Sequence, residues 1–529
     1  MAHTPRPVVL VVLDGWGLSR NHRNILMTTE LPTIAKLTMY YPFVALQASG
    51  ISVGLPWGDA GNSEVGHMAL GSGRIIYQNL PRISLAIQNE SFFSNEALTG
   101  AVAHAKKHNS TFHIMGLLSS GAVHSHYDHT LAALELAKRN NLADVAVHVF
   151  MDGRDSAPTA GVDMVARLQD DIARIGVGHI ASIAGRHWAM DRNNNWDRIE
   201  RAYTTLIGTG TTTAPLAELE SYIRTSYANG TTDEFIEPTL LTRDDGTPVG
   251  TISDNDAVFF TNFREDRARQ LTHALADADF TEFDRTPRAH LYIATMTQYD
   301  KKLDNVHVAF PPQDITHTLG ETLADYGKTQ LRIAETEKYA HVTYFFNGGA
   351  EKPFPGEDRV LIPSPHVMRF DEAPEMSAAK ITDRIIEELA NDTYDFILVN
   401  YANADMVGHT GNESACREAV RAIDKTLSIL IPAVLKKDGA LLITADHGNV
   451  EELYNDATGT MSTEHSTNPV PLWYITKDNH LRTPREKHFI PKVAGLLSDV
   501  APTILSIMHL DKPREMSGQD LLPLFNVQK

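Results

Sequence analysis

The sequence predicts a two-domain α/β protein, in which both ends of the chain build a doubly wound sheet and a second α/β domain is inserted between them. Three observations carry this reading. The length, 529 residues, exceeds what one core of ~100–200 residues accommodates. The run Val8–Leu13 is apolar throughout, which marks a strand covered on both faces and hence a parallel sheet. Towards the other end helix and strand patterns alternate as βαβ units, and such sheets bind ligands beyond the carboxyl ends of their strands.

The elements follow in order. The first strand ends at Asp14. Ser377 opens a helical pattern with Ile381, Ile385, Ile386 and Leu389 on one stripe, and a strand at 396–400 follows it. A second helix repeats Val420, Ile423, Leu427 and Leu430 and stops near Asp438 and Gly439, before a strand at 440–444. In the middle of the chain, strands are expected at 112–118, 145–150, 180–184 and 257–262. A strand-like segment containing Tyr344 to Phe346 resumes the first domain. The glycine-rich stretch 71–78 and the pair Pro311 and Pro312 mark the crossings. They give a discontinuous domain of 1–77 and 312–529 and an inserted domain of 78–311. The stretch 208–213 reads as a loop, and no internal repeat or low-complexity tail is present.

Composition excludes several functions. The chain is 42% hydrophobic and 21% charged, and it has no apolar run of ~18 residues. A membrane span is not expected. The opening MAHTPRPVVLVVLDGWG lacks the pattern of a secretory signal, so a cytoplasmic location is expected. Forty-seven basic against 66 acidic side chains leave a net charge of −19, which disfavours nucleic acid and anionic lipid as partners. The single cysteine, Cys416, excludes an internal disulfide, a Cys-rich zinc site and an iron–sulfur cluster. With 24 histidines, any metal must be held by imidazole and carboxylate.

Three apolar strands end in or near an aspartate: Asp14 in VVLDGWG, Asp405 in NYANADMVGHTG and Asp446 in TADHGN. One aspartate after a strand is commonly a helix cap or turn residue. Here histidines accompany them. Asp405 and His409 are one helical turn apart, His447 follows Asp446, and His465 stands in STEHSTNPVP. A two-metal site and a set of structural residues both fit this pattern. Ser63 in DAGNSEVGHMALGSG lies between glycines that allow close backbone approach. It reads either as a metal-activated nucleophile or as the cap of a short helix. Metals and a serine together suggest phosphate-ester chemistry, since two cations neutralise phosphoryl oxygens.

The middle domain offers His124 in GAVHSHYDH, Asp152, Arg154 and Asp155 in MDGRDSAP, and Arg186 and Arg192 in GRHWAMDRNNNWDR. Arg264 and Arg267 are i, i+3 neighbours in TNFREDRARQ, expected at the start of a helix whose N–H groups favour an anion. Arginines at successive strand ends suggest a pocket for a small polyanion. Surface ion pairing is the other reading, because acidic neighbours are close in sequence. Lys338 in EKYAHVTYFFNGG is expected to reach a cleft between the domains.

Taken together these segments resemble the cofactor-independent phosphoglycerate mutases of the alkaline-phosphatase-like superfamily. LDGWG, GNSEVGHM, HSHYDH, DGRDSAP, GRHWAMDR, NFREDRARQ, EKYAHVTYFFNGG, DMVGHTG, TADHGN and HSTNPVP follow in the family's order across nearly the whole chain. The resemblance implies a phosphatase-like domain, an inserted phosphotransferase domain and an active site between them. It implies Asp405, His409 and His465 on one Mn²⁺, and Asp14, Ser63, Asp446 and His447 on another, with Co²⁺ or Zn²⁺ as alternatives. It maps the substrate pocket onto His124, Arg154, Asp155, Arg186, Arg192, Arg264, Arg267 and Lys338.

The implied activity is that of an isomerase of glycolysis and gluconeogenesis, interconverting 3-phosphoglycerate and 2-phosphoglycerate through phosphorylated Ser63 without 2,3-bisphosphoglycerate. Domain closure must exclude water. Asp155 is the candidate for proton transfer and Lys338 for stabilising the bridging oxygen. The expected partner is small-molecule phosphoglycerate, and a monomer is expected, as no heptad pattern is present. Acid sensitivity is expected because His409, His447 and His465 must be neutral to bind metal. Departures are the segment RNHRNILMTTELPTIAKL, which lacks the family's small-residue run, and Tyr127, Ser156 and Glu265. The alternatives are a metal-dependent phosphomonoesterase or sugar-phosphate mutase of the same superfamily, and a non-catalytic polyanion-binding protein.

Overall fold

Val8–Leu13 is a fully buried strand near the middle of an eight-stranded sheet. The computed structural model describes residues 4–455 and 458–526 and divides the chain into two units, Met1–Gln78 with Asp314–Lys529, and Asn79–Gln313. In the first unit the strand order is Glu357–Ile362, Gln330–Glu335, Phe396–Tyr401, Val8–Leu13, Ala440–Thr444, Val470–Ile475, Phe43–Gln47 and Val493–Leu496. Val470–Ile475 runs antiparallel to both neighbours, and the remaining pairs are parallel. Val8–Leu13 is continuous in its apolarity because helices cover both faces of a parallel sheet.

Its register sets up the site. Leu13 pairs with Tyr401 and Val12 with Thr444, so Asp14, Asp405 and Asp446 follow three adjacent strands at their carboxyl ends. The stripe after Ser377 forms the helix Ala378–Asn391, which buries Ile381, Ile385 and Leu389. The helix Glu413–Lys436 buries Val420, Ile423, Leu427 and Leu430. It ends before Asp438, whose backbone is left-handed at φ 56°.

The second unit repeats the plan with the order Val306–Phe310, Tyr292–Thr297, Ala257–Phe260, Phe112–Leu118, Val145–Met151, His179–Gly185, Thr239–Thr242 and Thr213–Pro215. Its first six strands are parallel and Thr239–Thr242 is antiparallel to His179–Gly185. No helix of the described residues is long and apolar enough to cross a membrane.

Two local expectations are corrected. Tyr344 to Phe346 is not a strand: His341–Phe345 forms a π-helical turn. Its β-formers are overridden by packing, because Phe346 is fully buried and its carbonyl lies where a Cβ on Gly71 would stand, so the helix Ser63–Ser72 approaches there only with glycine. Arg264 and Arg267 precede the helix Arg269–Ala276 rather than open it. The N–H groups of Phe263 and Arg264 both donate to His124 O, at 2.8 and 3.3 Å, which holds the chain out of helical conformation. The atypical segment after Gly17 docks on Glu413–Lys436, with Arg417 bonding the Thr28 and Thr29 hydroxyls and the Thr33 and Ile34 N–H groups donating to Asp424.

Candidate functional site

Ser63 is the first residue of the helix Ser63–Ser72, and the cap is Asn62, whose Oδ1 accepts from Val65 N at 3.1 Å. The capping role is therefore filled by its neighbour, and the Ser63 hydroxyl is left for the centre. Its Oγ lies 3.2 Å from Asp14 Oδ1, 3.0 Å from His447 Nε2 and 2.8 Å from Lys338 Nζ. Lys338 Nζ also donates to Asp14 Oδ1 at 2.8 Å and Asp405 Oδ2 at 2.7 Å. Lys338, expected both in the substrate pocket and at the bridging oxygen, has its ammonium at the serine.

The imidazoles are oriented by carbonyls. His409 Nδ1 donates to Thr463 O at 2.8 Å, His465 Nδ1 to Gly61 O at 2.8 Å, and His447 Nδ1 to Gly448 O at 3.2 Å. Each carbonyl can only accept, so in the neutral rings every Nε2 lone pair points inward. The Nε2 atoms of His409 and His465 are 3.1 Å apart and stand 3.3 and 3.1 Å from Asp405 Oδ1. Acceptors converge this closely only around a cation, whether proton or metal ion. Asp14, Asp405 and Asp446 are at most 2% exposed, and Lys338 is the buried ammonium among them.

Three overlapping groups have ligand atoms within 4.8 Å of one another: Asp405 with His409 and His465, Asp14 with Asp405 and His447, and Asp14 with His67 and Asp446. The nitrogen and oxygen donor set fits a borderline divalent cation.

Electrostatics agree with that excess of anions. Burial opposes charge on His447, yet Asp446, Asp14 and Asp405 push it up to about 10. His409 is raised by its hydrogen bond to Asp405. Burial also works against the Lys338 ammonium, and the three carboxylates nevertheless hold its pKa above the ordinary lysine range. Asp405 lies well below the carboxylate range, because Lys338, His409 and His465 outweigh its desolvation.

The second unit gathers a different cluster at the carboxyl ends of four adjacent strands. Asp152 follows Val145–Met151 and accepts from the N–H groups of Arg154 and Asp155 at 3.2 and 3.1 Å. Arg186 follows His179–Gly185 and bonds Asp152 Oδ1 and Asp155 Oδ2, each at 2.5 Å. His124 lies between Asp155 Oδ2 at 3.9 Å and Asp266 Oδ1 at 3.5 Å. Asp266 also pairs with Arg192 at 2.7 Å and Arg264 at 3.2 Å, and Arg154 stands 3.6 Å from Glu234.

Arg267 bonds the Met190 carbonyl at 3.1 Å. Burial lowers its pKa, and Arg186, Arg192 and Arg154 lower it further, so cations crowd it. Burial and Arg186 likewise push His124 down to about 4 against the pull of Asp266 and Asp155. Such a site takes anions.

Sequence reasoning missed His67, Asn400, Asn449 and Asp266. His67 carries a legible signal, one helical turn after Ser63. Asn449 Nδ2 donates to Asp405 Oδ1 at 3.0 Å, and nothing in TADHGN marks it beyond proximity to His447.

Comparison with known proteins gives two family matches that overlap within the second unit. A family described as "BPG-independent PGAM N-terminus" matches residues 83–301, and one described as "Type I phosphodiesterase / nucleotide pyrophosphatase" matches 256–485. The 2,3-bisphosphoglycerate-independent phosphoglycerate mutase of Clostridium perfringens strain SM101 is 48% identical over 519 residues, covering 98% of this chain and 99% of that one. That of Moorella thermoacetica is 48% identical over 520 residues, covering 98% of each. Among solved structures, Leishmania mexicana phosphoglycerate mutase at low cobalt concentration is 30% identical, covers 97% of each chain and gives a TM-score of 0.52.

Proposed function

The chain belongs to the 2,3-bisphosphoglycerate-independent phosphoglycerate mutase family, and from that premise we propose that it interconverts 3-phosphoglycerate and 2-phosphoglycerate through phosphorylated Ser63. The observation that carries the reading is the Ser63 hydroxyl within 3.2 Å of Asp14, His447 and Lys338 at once. In the first step Ser63 Oγ bonds to phosphorus, the bond from phosphorus to the substrate oxygen breaks, and the serine proton ends on the released glycerate hydroxyl. In the second, the other glycerate hydroxyl attacks phosphoserine and Ser63 regains a proton, so the sum is an isomerisation with no water consumed.

Lys338 donates to Ser63 Oγ at 2.8 Å and is placed to stabilise charge on the bridging oxygen. Arg154, Arg186, Arg192, Arg264 and Arg267 with His124 hold the carboxylate and phosphate of the substrate, and Asp155 exchanges protons with the glycerate hydroxyls. Asp405, His409 and His465 would hold one Mn²⁺, and Asp14, Ser63, Asp446 and His447 a second, with Co²⁺ or Zn²⁺ accepted by the same donors. Bound cations supply neutralisation of phosphoryl oxygens and favour the serine alkoxide. The proposal includes a monomeric enzyme acting in cytoplasmic glycolysis and gluconeogenesis.

Phosphorus NMR of the protein with Mn²⁺ and 3-phosphoglycerate, without 2,3-bisphosphoglycerate, tests it. Appearance of 2-phosphoglycerate that EDTA abolishes is the expected result. Inorganic phosphate as the main product would make the protein a phosphomonoesterase, and an unchanged spectrum would remove the substrate assignment.

A further inference from the structure

One turn after Ser63 on the same helix stands His67, whose ring is fully buried. Its Nδ1 lies 2.9 Å from Ser63 O and 3.2 Å from Asp446 Oδ2, and both oxygens accept, so Nδ1 carries the proton and Nε2 the lone pair. Asn400 meets that lone pair. Its Nδ2 is 3.1 Å from His67 Nε2 and 2.7 Å from Asp14 Oδ2, so both amide hydrogens are spent on acceptors. A chain of bonds with every role determined thus runs from the Ser63 carbonyl through His67 and Asn400 to the Asp14 carboxylate. It returns to its start through the side chain, because Asp14 Oδ1 lies 3.2 Å from Ser63 Oγ. Asn400 sits on Phe396–Tyr401 in register with Val12, so the link ties the helix bearing the serine to the two strands beneath the centre.

We propose that His67 and Asn400 are positioning residues that together fix the Ser63 hydroxyl against Asp14 and turn Asp14 Oδ1 toward the reacting group. The proposal rests on phosphoryl transfer at Ser63. Neither side chain bonds to Oγ; each acts through a group that does. A nucleophile displaced by a fraction of an ångström loses much of the benefit of proximity, and partners that orient ligand groups matter nearly as much as the ligands.

Two substitutions at one position separate this role from space filling. His67→Asn keeps an N–H where Nδ1 stood and so retains the bond to the Ser63 carbonyl, whereas His67→Leu matches the bulk of the ring and retains none of its bonds to Ser63, Asp446 and Asn400. We expect kcat for phosphoglycerate interconversion to fall about tenfold in His67→Asn and about a hundredfold in His67→Leu, with KM within about threefold, whichever variant has the higher Tm. Asn400→Leu, similar in shape and without donors, should weaken Mn²⁺ binding to EDTA-treated protein by about tenfold, measured by calorimetry without substrate. The double variant His67→Leu/Asn400→Leu should lose no more than the worse single, because the two side chains form one link.

A kcat that follows Tm, with leucine above asparagine, overturns the proposal, as do additive losses. If the wild type fails to interconvert phosphoglycerates while Mn²⁺ binding weakens in Asn400→Leu, the functional reading fails and the orientation of Asp14 by Asn400 stands. Unchanged Mn²⁺ affinity and kcat in the variants of an active wild type refute the link.

Discussion

Both units end adjacent parallel strands in a cluster of charged side chains, yet His447 and His409 in one and His124 in the other are shifted in opposite directions. In the first unit, Asp446, Asp14 and Asp405 push His447 up to about 10 against its burial, and His409 is also raised. In the second, burial and Arg186 push His124 down to about 4. The scaffold supplies convergence at strand ends in both, and the charge of the converging residues decides the ligand. A centre that draws protons onto imidazoles is one that draws metal cations; a pocket that drives protons off is one that draws carboxylate and phosphate.

The sharpest way to break this division is to remove the nucleophile. Ser63→Ala should lower turnover by at least ~10³-fold, because among the described residues the Ser63 hydroxyl alone bonds Asp14, His447 and Lys338 together. Intact mass should show no phosphoprotein, while calorimetry should still show 3-phosphoglycerate binding. A variant that loses binding as completely as turnover would show that the first centre, and not the arginines, supplies the affinity.

The converse substitution is Arg267→Gln. Arg267 is crowded by Arg186, Arg192 and Arg154, and losing its fork should raise KM by ~10- to 100-fold while kcat changes little. Affinity for Mn²⁺ should be unaltered. An unchanged KM would take Arg267 out of the pocket and leave its contact with the Met190 carbonyl as its whole role.

Metal removal probes the first centre alone. His447, raised to about 10, is protonated at neutral pH in metal-free protein and must be neutral to ligate, so metal and proton compete. Adding Mn²⁺ to EDTA-treated protein in weak buffer at pH 7 should release at least about one proton per chain, that of this ring, and affinity should fall as pH falls. The sign differs for stability. A folded pKa above the unfolded 6.5 stabilises metal-free protein fully below that value, and the contribution is lost as pH rises through about 10. Binding without proton release would mean that His447 is not a ligand.

Much of both clusters was legible because strand ends leave a strong signature. Val8–Leu13, the helical stripe from Ile381 to Leu389 and the strands at 112–118 and 440–444 are fixed by apolar periodicity, which the packed sheets reproduce. Tyr344 to Phe346 was not legible, since β-branched and aromatic residues favour a strand locally and the close approach of Gly71 is a tertiary fact. The same holds for Arg264, whose N–H, with that of Phe263, donates to His124 O more than a hundred residues away in sequence, so that the helix begins only after Arg267. Asn400 and Asn449 were hidden for another reason. An amide carries no charge pattern, and its value lies wholly in which acceptors the fold brings to it.

The smallest effect concerns His124. Its folded pKa of about 4 lies below the ordinary 6.5, so its share of stability is complete above 6.5 and is lost as pH falls towards 4, by up to about 1.4 kcal/mol per pH unit. Imidazole NMR of the metal-free protein should place the His124 midpoint near 4, well below the ordinary value. Arg267→Gln should raise it slightly, because a nearby cation is gone, and bound 3-phosphoglycerate should raise it further by offsetting the arginines. Ser63→Ala should leave it unmoved. A midpoint near 6.5 that ignores both Arg267 and the ligand would mean that the arginines do not govern the field at His124, and the opposition between the two histidine environments would then reduce to burial alone.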